Sequence, residues 1–362
     1  MEYTKERIGN VSTVTLILVL ILVLIAVMIV AISIGVVNIP FEKVWGVVSY
    51  NVVHTLTGIE IGDPNLYAKG ATYDIVWNIR SPRVFLAAVV GMSLALAGVV
   101  MQATVQNPLA DPYILGMSSG ASLGATFCIA TGAAALGGMV LGRFTLAFFA
   151  FIGAFISAMA VLALSSAGGR TTSVKLVLSG TIISSLFGAF SNLIIVTAAD
   201  AEEIQELTYW MLGSFASAQW YKIVVPAIAL AICIIYFTTQ CRHLNTILMG
   251  DEVATTLGID LSKKRKIYVI MTALLTACAV CFCGVIGFVG LMIPHIVRAI
   301  TGNNHWKLMP LSVLVGGVFM VLADIAARTV LGGAELPIGI ITAVCGAPIF
   351  AYIMIKKTYS FA

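Results

Sequence analysis

Long, nearly unbroken apolar runs separated by short polar islands dominate this chain. A spanning helix takes roughly 20 mainly apolar residues. Lipid offers the backbone no hydrogen-bond partners, so a span must be a helix or part of a closed barrel. The runs are continuous rather than alternating, and so predict helices. The first covers residues 14–34; it exceeds the ~7–15-residue core of a signal peptide and lacks an A-x-A cleavage pattern, so it is expected to stay as a span. The second opens at Arg80-Ser81-Pro82-Arg83, with Ser81 as candidate N-cap and Pro82 at the first helical position, and ends near Gln102 to Gln106. Asp111-Pro112 repeats that signal for the third. Further spans are expected over 146–164, 176–197 and 223–237.

From Ile267 to Ile300 the apolar run lasts 34 residues (300 − 267 + 1), too long for one span and too short for two full ones. Gly284, Gly287, Gly290 and Pro294 offer places to break it. This predicts a seventh span, a sharp turn around 284–290 and a short eighth helix ending near Ile300. A ninth span covers 310–328, Gly332-Gly333 turns the chain, and a tenth runs from 337 to 355. The expected fold class is an all-α polytopic membrane protein: ten transmembrane helices in one domain, 1–362. Small residues give two spans surfaces for close packing: Gly91, Ser93, Ala95, Ala97 and Gly98 in the second, and Gly116, Ser118, Ser119, Gly120, Ala121 and Gly124 in the third.

Composition agrees, with 60% hydrophobic and 10% charged residues against about a quarter charged in soluble domains. A net charge of +4 is too small to suggest nucleic acid, and membrane topology explains the basic residues better. Lys5 and Arg7 place the N-terminus inside, as does the basic turn from Gly168 to Lys175 for the loop it occupies. If the 267–300 run crosses twice, Arg298, Lys307, Lys356 and Lys357 all fall inside and both termini are cytoplasmic. The acid-rich segments 38–79 (Glu42, Glu60, Asp63, Asp74) and 199–221 (Asp200, Glu202, Glu203, Glu206) are then external. A short interfacial helix is expected over 41–55, and Tyr209, Trp210 and Trp220 suit an interfacial belt.

The polar island 241–266, CRHLNTILMGDEVATTLGIDLSKKRK, carries the densest basic cluster: Arg242, Lys263, Lys264, Arg265 and Lys266. Within it, Gly250-Asp251-Glu252-Val253-Ala254-Thr255-Thr256-Leu257-Gly258 reads as a short helix capped by Asp251 and ended by Gly258 in a left-handed conformation, with another helix starting near Ser262. No G-x-x-x-x-G-K-[ST] loop is present, so ATP-driven work requires another subunit. No catalytic constellation appears either. Asp324 lies well inside a span, one helical turn from Arg328, where an i,i+4 ion pair can form. The seven cysteines and Met92, Met101 and Met117 read as core residues. His295 reads as a helix-packing or capping residue, and His54 is uninformative without a partner.

Three long runs resemble the FecCD-type permeases, membrane subunits of bacterial ABC importers for iron-siderophore complexes, haem and cobalamin. They are RSPRVFLAAVVGMSLALAGVVMQATVQNPLADPYILGMSSGASLGA (Arg80 to Ala125), GVIGFVGLMIPHIVR (Gly284 to Arg298) and ADIAARTVLGGAELPIGIITAVCGAPIF (Ala323 to Phe350). The resemblance implies a multi-pass protein of the bacterial cytoplasmic membrane that is not itself an enzyme. It pairs with a second permease subunit, identical or paralogous, and is served by two cytosolic ABC ATPases and an external substrate-binding protein. ATP and Mg belong to the ATPase, and the chain carries no cofactor or metal. It further implies that Gly250, Asp251, Glu252, Ala254, Leu257 and Gly258 form the ATPase-coupling element, with Ala254 and Leu257 as buried contacts; an ordinary solvated connector is the alternative. Arg80, Arg83 and Arg328 match arginines that receive carboxylates of the binding protein. For the first two the alternative is interfacial snorkelling, and for Arg328 it is the Asp324 pair. The fifth and tenth spans are expected to line the path. An iron chelate is the expected cargo, with cobalamin as alternative; an ion-coupled secondary transporter would need midplane carboxylates or unwound helices, which are not evident.

Overall fold

The computed structural model describes residues 13–356 apart from 36, 38, 61, 133–141, 168, 170, 199 and 333. Lys5, Arg7, Arg170 and Lys357, which support part of the topology argument, lie outside the described residues, as do Gly168 and Gly333 of the two predicted turns. The described residues are helical with short connections and no strand. α1 (Thr13–Ser33) buries only Leu24, Ala31 and Ile32, as suits a helix whose solvent is lipid. α2 (Phe41–Thr57) is the expected short helix, ended by Gly58 in a left-handed conformation.

α3 (Ser81–Val105) is buried almost throughout and forms the axis of the bundle. It does not begin at Ser81. A helical stretch from Ala71 runs into it without a break, through a π-helical segment at Asp74–Arg80. Ser81 therefore has helical dihedrals rather than an N-cap's, and its hydroxyl donates to the Val76 carbonyl (2.7 Å). The reason is Pro82: lacking an N–H and crowding the carbonyl four residues back, it is accommodated by a widened turn as well as by a helix start.

A 3₁₀ turn, Pro112–Leu115, is capped by the Asp111 side chain and leads to α4 (Met117–Ala130). α5 (Thr145–Ser166) and α6 (Ser173–Ala198) follow. α7 (Ala201–Met211) has a reciprocal cap between Asp200 and Glu203, a D-x-x-E signal visible in the sequence although no helix was expected there. α8 (Trp220–Ile247) continues ten residues beyond the expected end at 237. Buried Phe237, Cys241, Leu244 and Ile247 form a helical stripe that packs although the flanking residues are polar. Much of the supposed loop 241–266 is thus helix: the end of α8, α9 (Asp251–Thr256) and the start of α10 (Leu261–Cys283).

The expected break in the long apolar run occurs at 284–288, before α11 (Val289–Thr301). Gly284 adopts φ +75°, and a Cβ there would overlap the Trp210 carbonyl. The second left-handed residue is Phe288 (φ +68°) rather than a glycine. The chain then returns to the end it left: the Ser214 N–H donates to the Cys283 carbonyl (2.8 Å) at one end, and the His305 N–H donates to Asn245 Oδ1 (2.9 Å) near the other. α12 (His305–Thr329) starts at an Asn304 cap, five residues before the expected 310, and carries Pro310 inside it. α13 (Ile338–Lys356) closes the described chain.

Both expected small-residue faces pack closely. Added Cβ atoms on Gly91 and Gly98 would overlap the carbonyls of Gly316 on α12 and Gly290 on α11. On α4 they would overlap Gly153 from Gly120 and Phe149 from Gly124, both on α5. Among the described residues, seven helices are long and apolar enough to cross a membrane: α1, the 71–105 helix, α5, α6, α8, α10 and α12. α4, α11 and α13 are shorter apolar helices. Six cysteines are buried, but Cys345 is exposed, so it is not the core residue its apolar run suggested.

Candidate functional site

At one end of α3 the three arginines singled out in the sequence come together, yet none is a surface residue: Arg80 is 5%, Arg83 6% and Arg328 6% exposed. Arg80 Nη1 donates to the carbonyls of Ile32 (3.1 Å) and Ser33 (2.9 Å), and Nη2 to that of Val37. Arg328 donates to the carbonyls of Ala31 (3.1 Å) and Ile34 (3.0 Å). Two guanidinium groups thus cap the C-terminus of α1, where unpaired carbonyls concentrate partial negative charge.

Asp324, buried on α12, bridges the other pair. Its carboxylate lies 2.8 Å from Arg83 Nε and 3.1 Å from Arg328 Nε. The i,i+4 pair forms, but its partner across the bundle, Arg83, was not expected. Glu335 was also missed: both its oxygens lie 2.8 Å from Arg83 Nη1, and its side chain is 43% exposed. Three positive and two negative charges therefore meet, and the most exposed member is a carboxylate. Nearby, Trp77, Phe85 and Trp220 pack together, with ring centroids 4.9 and 5.5 Å from Trp220.

The opposite end carries α9. Its N-cap is Gly250 (φ +108°), with no side-chain cap. Asp251 is displaced from the expected capping role because its carboxylate is engaged by Arg265 Nη1 (2.9 Å) and Nη2 (2.7 Å) and by Gln106 Nε2 (2.9 Å). Gly258 ends the helix at φ +82°, as expected. Glu252 is exposed and Ala254 is buried within this chain, so Ala254 does not share an outward surface with Leu257. Three apolar side chains stand outward: Met249 (66% exposed) just before the helix, Val253 within it and Leu257 (65%) at its C-cap. Three bare apolar side chains at a polar end form a knob for an apolar groove. The two ends are about 37 Å apart, given about 1.5 Å per residue along α3.

Between them, a cavity of about 340 Å³ opens between α4 and α6. Ser118, Ser119, Ser122, Ser191 and Asn192 supply its polar lining, with Ile195, Met211 and Val285 beside them. Such a wall offers hydrogen bonds without charge. α6 is the fifth expected span and α4 the third. Among the described residues no three His, Cys, Asp or Glu side chains converge as a metal site. Met101 and Met117 are buried filler, and His54 stacks on Tyr50 at 5.9 Å.

The model of the FecCD transport family matches residues 20–356. The cobalamin import system permease protein BtuC of Halobacterium salinarum is 38% identical to this chain, over 77% of it and 73% of the relative. The hemin transport system permease protein HmuU of Yersinia pestis is 34% identical, over 79% and 86%. A solved ABC transporter assigned to the metal-chelate type, in an inward-facing conformation, superimposes with a TM-score of 0.77 at 30% identity, covering 94% of this chain and 99% of that one.

Proposed function

The chain belongs to the FecCD transport family and is a permease of an ABC importer, and we propose that its cargo is an iron chelate, a siderophore complex or haem, delivered by an external binding protein. The observation that carries the ATP-driven part is the exposed set Met249, Val253 and Leu257, on α9 and at its two ends, an apolar knob that a cytosolic ATPase covers. Gly250, Asp251, Glu252, Ala254, Leu257 and Gly258 form the coupling element, two of these chains or a chain and its paralogue enclose the path, and two ATPases bind ATP and Mg below. Ten crossings with both termini cytoplasmic follow if α4, α11 and α13 cross together with the seven longer helices. The cytoplasmic membrane is the location.

Cobalamin is the second reading, favoured by the cobalamin permease relative. Ferric hydroxamates and cobalamin carry many neutral amide groups, which the Ser and Asn side chains of the cavity suit, while Ile195, Met211 and Val285 offer apolar wall to a haem macrocycle. At the outer end, Arg83 meets the binding protein, while Arg80 and Arg328, closed on the carbonyls of α1, hold the surface around it in place. Arg83 is the one that can exchange partners, because a docking carboxylate can take the place of half-exposed Glu335 on Nη1. Reconstitution with the ATPase and binding protein tests the reading: uptake of a radiolabelled ferric hydroxamate, haem or cyanocobalamin should require ATP hydrolysis. Uptake by the chain alone under a proton or sodium gradient would sink it.

A further inference from the structure

We propose that the Asp251–Arg265 pair transmits the motion of α9 into the membrane helices, making Arg265 a positioning residue for ATP-driven transport; this rests on the importer reading above. A force applied to the outward knob at α9 has to reach the bundle. Ala254, buried against it, transmits a push but holds poorly against a pull or twist. Asp251 does both. Its two oxygens meet separate nitrogens of one guanidinium at 2.7 and 2.9 Å, and a planar fork fixes direction as well as distance.

Arg265 in turn is 1% exposed and engages elements other than α9. Its Nε donates to the Thr104 carbonyl at the end of α3 (3.1 Å), and Nη2 to Ser173 Oγ in the first residue of α6 (3.1 Å). Gln106 closes the circuit. Held at φ +54°, one of two left-handed non-glycine residues among those described, it donates from Nε2 to Asp251 (2.9 Å) and to the Ile247 carbonyl at the end of α8 (2.6 Å). One guanidinium and one amide thus join α3, α6, α8, α9 and α10. A solvated connector needs no such junction; Gln106 reaches it from the C-cap of α3, where its left-handed backbone closes the helix and the Asn107 N–H donates to the Gln102 carbonyl (3.0 Å). Ser173 begins α6, the helix whose Gly188, Ser191, Asn192 and Ile195 further along form one wall of the cavity. A carboxylate at α9 is therefore two hydrogen bonds from the helix that faces the cargo.

The test is the amount of probe moved per ATP hydrolysed, in proteoliposomes holding the chain with its ATPase and binding protein; the probes are the ferric hydroxamate, haem and cyanocobalamin. D251N keeps the shape but not the charge, and R265K keeps the charge but not the fork. Each should lower the ratio by about ten-fold, the scale of a typical coupling between sites; with R265K, outside the element the ATPase touches, the ATPase should still co-purify and turn over, and D251E should recover most of the loss. A purely structural role would lower uptake and hydrolysis together, so an unchanged ratio in D251N and R265K overturns the proposal. Should both fail to assemble, S173A decides: it removes one arm at a half-buried hydroxyl, and a drop in the ratio supports the proposal while an unchanged ratio overturns it. Absence of ATP-dependent uptake of any probe by the unaltered chain overturns the importer reading and this proposal with it; when the unaltered chain transports and the ratios are flat, the proposal fails alone.

Discussion

At the residue scale, burial turns the three arginines from expected surface hooks into internal joints. Arg80 and Arg328 close the end of α1 through carbonyls, so replacing either acts first on stability. Arg83 differs, because Glu335 is a half-exposed partner. E335Q should tighten binding-protein docking several-fold by removing a competing carboxylate, and R83Q should weaken it by at least about ten-fold, one charge-assisted hydrogen bond being worth roughly 1.5–3 kcal/mol. Surface plasmon resonance on nanodisc-embedded transporter measures both; affinities unmoved by either change would leave Arg83 a structural residue. D324N should lower the melting temperature markedly, because it removes the anion shared by two buried guanidinium groups, and breaking a buried pair costs roughly 3–5 kcal/mol. The Arg328–Asp324 spacing was legible in the sequence. The pairing of Arg83 with Glu335 was not, because nothing local relates residues 252 positions apart.

At the element scale, helices pack here through missing side chains. Lipid is as apolar as leucine, so association relies on close backbone approach. A methyl at Gly98 would overlap the Gly290 carbonyl, whereas one at Gly287 would meet nothing within 4 Å. Thermal unfolding in detergent should show G98A destabilised by roughly 1–3 kcal/mol, the usual cost of overpacking, and G287A close to the parent; equal effects would contradict this account of the α3–α11 contact. For α9, L257D should release the ATPase on co-purification without shifting the chain's own melting, since Leu257 is exposed and touches little within the chain. The helices themselves were largely legible from their apolar runs. Their ends were less so: α8 outlasts its apolar stretch because a buried stripe continues to Ile247, and the 71–105 helix passes through Pro82 because a π segment absorbs the ring.

At the scale of the whole molecule, the acid-rich α7 and the α9 knob belong to opposite ends of the bundle. Impermeant thiol reagents applied to intact cells should therefore label a cysteine placed at Glu203 and leave one at Thr255 unlabelled until the membrane is opened. The reverse pattern would invert the proposed topology. From the sequence alone came the apolar helices, the break after Cys283, the glycine faces and the left-handed stop at Gly258. Each follows from local chemistry: the hydrophobicity of a run, the missing Cβ of glycine, the N–H that proline lacks. Only the tertiary structure decided which polar groups meet, so that Asp251 serves Arg265 rather than its own helix and the arginines face inward. Placing a charge in a low-dielectric interior requires a partner, and which partner is near depends on how the helices assemble, information that no stretch of chain carries by itself.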